Sequence, residues 1–149
     1  MTNGVVLFAF NNSEIDYIKQ AIYCAKRVKT YLGLPVQLIT NSVDYLQDTY
    51  PFYTKYIDEV TFSPSPKSTS KKFYDGIHFN KVLEWKNGAR DSAFALSIFD
   101  KTLVIDTDLL ISNDKLLRCF ESTDDFMIAK DYNLINQNKS HPDLDRISD

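Results

Sequence analysis

Glycine is scarce in this chain, with four residues in 149. Phosphate-cradling loops need closely spaced glycines, because only without a Cβ can backbone N–H groups come up against a phosphate. Neither a P-loop nor a dinucleotide-binding fingerprint is present, which argues against both classes. Cysteine is equally sparse: Cys24 and Cys119 lie far apart in apolar, helix-like contexts. They read as reduced core residues and exclude a metal knuckle or a disulfide framework. The two histidines, His78 and His141, have no partners at metal-ligand spacing and read as surface or packing residues. A basic excess is also missing. The 17 basic and 20 acidic residues leave a net charge of -3, so no nucleic-acid or membrane-surface partner is expected. No run approaches the roughly 18 apolar residues of a membrane span. The start, Met1 to Gly4, lacks the basic residues of a signal peptide, and Val5 to Phe10 is too short for its apolar region. A soluble, cytoplasmic protein is the expectation.

What the chain does have is core material. Hydrophobic residues make up 44%, with 10 Phe and 9 Tyr, enough for one domain. Val5 to Phe10 is a continuous apolar run that suits a strand buried on both faces. Asn11, Asn12 and Ser13 follow as turn residues, and Ser13 with Asp16 resembles a capping box. Ile18, Ala21, Ile22, Ala25, Val28 and Leu32 recur at helical spacing, with Gly33 and Pro35 as the stop. Val36 to Thr40 reads as a second strand, parallel to the first through a right-handed crossover. Val43 to Gln47 predicts a short helix and Ile57 to Phe62 a third strand. Ser63 to Lys72 reads as a mobile surface loop, and Phe73 to Trp85 is ambiguous. A helix over Ala89 to Phe99, a strand over Leu103 to Ile105, a helix over Asp114 to Phe120 and a strand over Phe126 to Ala129 complete the expectation. The fold class is therefore α/β, a mostly parallel central sheet flanked by helices, over residues 1–132, with a polar tail over 133–149.

The chemistry points to Asp106 and Asp108, which end an apolar run. The bare pattern Asp-x-Asp proves little. Asp occurs 16 times, so roughly two such pairs arise by chance. The second pair, Asp143/Asp145, sits in the polar tail and reads as solvating. Context separates the first. In extended backbone, residues i and i+2 project to one side, so two carboxylates there repel each other unless a divalent cation intervenes. Asp oxygens suit Mn²⁺ or Mg²⁺, which take one or two carboxylates and complete their shell with water and substrate phosphate. The structural alternative is that these acids cap the turn before Leu109 or pair with lysines. In open α/β sheets, ligands bind beyond the carboxyl ends of strands, where Asn11 and Asp106 both stand.

Gly88 to Asn113 resembles the central part of A-type glycosyltransferases. A helix carrying a basic residue, here Arg90, precedes a strand ending in Asp-x-Asp, and a short helix follows. Val5 to Asn12 with its helix is similar to the first β-α unit of that superfamily. The order of elements agrees from Val5 to about Asp131. The resemblance implies a Rossmann-like nucleotide-diphospho-sugar transferase fold. It implies that Asp106, Thr107 and Asp108 contact the donor, with Asp106 and Asp108 holding Mn²⁺ or Mg²⁺ on its diphosphate. It implies that Arg90 contacts the donor phosphate or sugar, and that Phe8, Ala9, Phe10 and Asn11 hold the nucleotide base. A surface salt bridge to Asp91 or Glu84 is the plain alternative for Arg90, and core packing that for Phe8 and Phe10. The expected partner is a nucleoside-diphosphate sugar, a UDP-sugar by preference, with an acceptor not readable from sequence. No catalytic residue is assigned. The few polar residues after Asp131 imply an acceptor site completed by a partner chain or a missing C-terminal half. A catalytically silent binding module on the same fold is the alternative function. A phosphatase using Asp106 and Asp108 is the rival enzyme class, although its pair normally follows the first strand.

Overall fold

Six consecutive residues build the centre of the molecule. Val5, Leu7 and Ala9 enter one apolar cluster, while Val6, Phe8 and Phe10 enter another. This is strand alternation with both faces buried. The computed structural model describes residues 2–67, 69–74 and 80–127. In it, β1 (Asn3–Phe8) lies between β2 (Val36–Thr40) and β6 (Lys101–Ile105), and β3 (Glu59–Phe62) extends the sheet beyond β2. The order is β3-β2-β1-β6 and every pairing is parallel, with Val5 opposite Val36 on one side and Leu103 on the other. A separate antiparallel hairpin, β4 (Thr69–Tyr74) with β5 (Asn80–Trp85), precedes the return to β6. This is the expected α/β, Rossmann-like arrangement.

Helices cover both faces. α1 (Tyr17–Tyr31) turns Ile18, Ala21, Ile22, Cys24, Ala25 and Val28 onto the sheet. It ends at Gly33, whose φ of +64° suits a residue without a Cβ. α2 (Val43–Thr49) adds Leu46 to the same cluster, followed by a 3₁₀ turn over Pro51–Lys55. On the opposite face a 3₁₀ turn, Asn87–Ser92, runs into the single turn of α3 (Ala93–Leu96) and contributes Ala89 and Leu96. Buried Gln37 secures that layer. Its amide donates to Thr61 Oγ1 and the Leu96 carbonyl, each at 2.8 Å, and accepts from the Ile98 N–H at 3.1 Å. No described helix is long and apolar enough to cross a membrane.

Several expectations need correction. The cap of α1 is Asp16, which accepts from the Lys19 N–H at 3.0 Å, while Ser13 is exposed. Thr69 to Lys72 is strand, not loop. The long helix expected over Ala89 to Phe99 is two short turns, because Ser97 is extended and closes the second. The short helix expected over Asp114 to Phe120 is present as a 3₁₀ helix, Lys115–Glu121. Phe126 and Met127 are exposed and outside any strand; residues 128 and 129 lie outside the described residues, as do His78, His141 and the tail. Cys24 is buried but Cys119 is exposed, so the core reading holds for one of them.

Two outcomes follow. A Cβ at Gly4 would clash with the Phe99 ring, so Gly4→Ala should cost about 1–3 kcal/mol by overpacking, read as a lower urea midpoint. Asp16 gathers bonds from Tyr50, Lys19 N–H, Tyr45 and Asn11, and these outweigh the burial that would raise its pKa, leaving it below the ordinary value. A depressed carboxyl contributes stability that is complete above its unfolded value of about 3.9 and is lost as pH falls through the folded one. Asp16→Ala, which removes the cap, should lower stability at pH 7 by about 0.5–2 kcal/mol and flatten part of the fall in Tm below pH 4.

Candidate functional site

The strand order reverses between β1 and β6. The chain runs outward through β2 and β3, then returns to the other edge of β1. Crevices at such a reversal are where open α/β sheets take ligands. The carboxyl ends of β1 and β6 carry the residues singled out above.

After β1, Ala9 and Phe10 remain buried and Phe8 is partly buried, its ring 6.5 Å from that of Phe10. All three are core members. The Asn11 side chain belongs to the start of α1: its Oδ1 accepts from the Ile18 N–H at 3.1 Å and its amide donates to Asp16 at 3.1 Å. The Asn11 carbonyl accepts from Lys86 Nζ at 3.1 Å, and Lys86 also pairs with Glu84 at 3.2 Å.

After β6, the backbone does not stay extended. The Leu109 N–H donates to the Asp106 carbonyl at 3.1 Å, closing a turn with Asp106 first and Asp108 third. Strand alternation therefore does not place the two acids, and their surroundings differ. Asp106 forms an ion pair with Arg90, which the turn after β5 delivers. Asp108 borders a trough over α1. Thr107 between them is buried and donates to Gln20 Oε1 at 3.2 Å. Cys24 Sγ lies 3.8 Å from both the Asp106 and Leu109 carbonyls, and Arg27 Nε donates to the Ile111 carbonyl. Two residues of α1 thus fasten the turn, and Arg27 fastens the segment just beyond it.

The electrostatics follow from that mounting. Burial and then the charge of Asp108, opposed by Arg27 and aided a little by Asp106, push the Cys24 thiol up to about 11. Burial and then Asp108 raise Tyr17 as well. The Arg90 and Asp106 side chains are 41% and 48% exposed. An ion pair that wet is worth about 0–1 kcal/mol, so either partner can exchange it for a ligand at little cost. Arg90 thus has Asp106 as an ion-pair partner.

The trough encloses about 590 Å³. It is lined by Lys19, Tyr23 and Lys26 of α1, by Tyr50 and Phe52, and by Asp108 to Leu110. None of these except Asp108 was singled out from sequence. An aromatic ring at Tyr23, between two lysines on the polar side of the helix, was the available signal.

Among the described residues no three His, Cys, Asp or Glu side chains converge as a metal site. Asp106 and Asp108 offer accessible carboxylate oxygens to a hard cation, a donor set that suits Mn²⁺ or Mg²⁺ when phosphate and water complete the shell. Comparison with protein-family models, curated proteins and solved structures gives no match to this chain.

Proposed function

We propose that this chain is a glycosyltransferase-type domain that binds a nucleoside-diphosphate sugar, a UDP-sugar by preference, and transfers the sugar to an acceptor. Asp106 and Asp108 would hold Mn²⁺ or Mg²⁺ against the diphosphate. The observation that carries this reading is the meeting of Arg90 with Asp106 at the carboxyl end of β6, beside β1, where the strand order reverses. A guanidinium and an acid pair at one rim supply both charges that a metal-bound diphosphate needs.

The chain's own residues do most of the work. Asp106 exchanges a weak, exposed ion pair for the cation. Arg90, released from that carboxylate, offers its planar fork to phosphate oxygens. Thr107, anchored to Gln20, keeps the two acids on one turn. Phe8, a core member but only partly buried where Ala9 and Phe10 are buried, would be the base contact, with Asn11 engaged at the start of α1. When bound, the cation neutralises charge on the departing nucleoside diphosphate. A cytoplasmic location belongs to the same reading.

A second reading is favoured by the same ion pair. Arg90 already neutralises Asp106, so that acid needs no metal, as in a catalytically silent binding module. The two separate in a thermal-shift series with UDP- and GDP-sugars, with and without Mn²⁺. Under the first reading, stabilisation requires metal and nucleotide together, reaches about 2.7 kcal/mol at a hundredfold excess over Kd, and disappears in Asp106→Asn. Each kcal/mol is roughly 2–4 °C at this size. Nucleotide binding without sugar transfer or donor hydrolysis identifies the second. Arg90→Ala distinguishes a binding role from a structural one: the free chain should lose less than about 1 kcal/mol, while nucleotide affinity should fall at least tenfold by titration calorimetry.

A further inference from the structure

The trough over α1 has a lining that suits one kind of ligand. Its rings are open to solvent: Tyr23 is 59% and Phe52 46% exposed. Phe52 meets Tyr50 edge to face, with centroids 6.1 Å apart. Lys19, Gln20, Lys26 and Asp108 stand among these rings. A protein-docking surface has a centre depleted in Lys and Asp, whereas this trough carries two ammonium groups and a carboxylate. A wholly apolar ligand would strip water from those charges without replacing it. A saccharide matches both parts of the lining. Its C–H faces lie on aromatic rings, and its hydroxyls accept from ammonium and amide groups and donate to a carboxylate. The volume of about 590 Å³ falls within the roughly 300–1,000 Å³ of small-molecule sites.

Position adds an independent argument. Asp108 lines the trough and also belongs to the acid pair of the proposed donor site, so the two sites share that residue. We infer that the trough over α1 is the saccharide-acceptor site of this chain, with Tyr23 and Phe52 as stacking surfaces and Gln20 and Lys26 as hydroxyl partners. This rests on the donor reading given above. In the transfer, an acceptor hydroxyl oxygen bonds to the anomeric carbon of the donor. The bond from that carbon to the phosphate oxygen breaks, its electron pair leaves with the nucleoside diphosphate, and the hydroxyl proton passes to water.

The test is saturation-transfer NMR and titration of the full chain with lactose, maltose, cellobiose and diacetylchitobiose. At least one disaccharide should bind. Tyr23→Ala and Phe52→Ala should each weaken that binding tenfold or more, with unchanged far-UV circular dichroism. Both rings are half exposed, so the fold survives their loss. Phe94→Ala, at a fully exposed ring outside the trough, should leave binding as it was. Failure of all four sugars to bind, binding that survives both trough substitutions, or a dimer that Tyr23→Ala dissolves would each overturn the inference. The donor reading fails separately, when metal and nucleotide together do not stabilise the unaltered chain. Saccharide binding would then stand without transfer.

Discussion

β1 has no face and no edge to spare. Its side chains alternate into two apolar clusters, and β2 and β6 take its hydrogen bonds on either side. A strand so enclosed leaves its polar chemistry to the residues beyond its carboxyl end. Burying each large aliphatic side chain there contributes about 1.5–3 kcal/mol, more than an exposed ion pair at the rim supplies. The core therefore decides where the rim lies, and the rim residues accept that position.

At the rim, α1 acts as the mounting for both strand ends. Its first turn uses Asn11 and Asp16, which satisfy N–H groups that a helix start leaves without intrahelical partners. Its next turns hold the Asp106 to Ile111 segment through Gln20, Cys24 and Arg27. Asp106 and Asp108 thus sit on an anchored turn but face different surroundings. Arg90 meets one, and an aromatic trough meets the other. One anchored turn facing two environments is the geometry on which the donor and acceptor readings both depend.

Much of the fold was legible from residue order. The run Val5 to Phe10, the 3.6-residue recurrence from Ile18 to Leu32 and the Gly33 stop each follow from local rules, and the structure keeps them. Val36 to Thr40 was read with its observed bounds. The weaker segments were not legible. Thr69 to Lys72 has the serines and lysines of a loop, and it becomes strand by pairing with Val82 to Trp85. Ala89 to Phe99 has helical spacing, yet Gln37 captures the Leu96 carbonyl and the Ile98 N–H and so favours an early stop.

The candidate site divides in the same way. Sequence alone determined that two acids end a buried strand, because an apolar run and its polar boundary are local facts. Only the tertiary structure decided what each acid meets. Arg90 and Asp106 are brought together by the return of β6 to the free edge of β1, and the trough exists only because Tyr50, Phe52 and Leu110 converge on α1 from distant parts of the chain. Such contacts depend on which edge of the sheet a returning strand takes, and no local propensity encodes that choice.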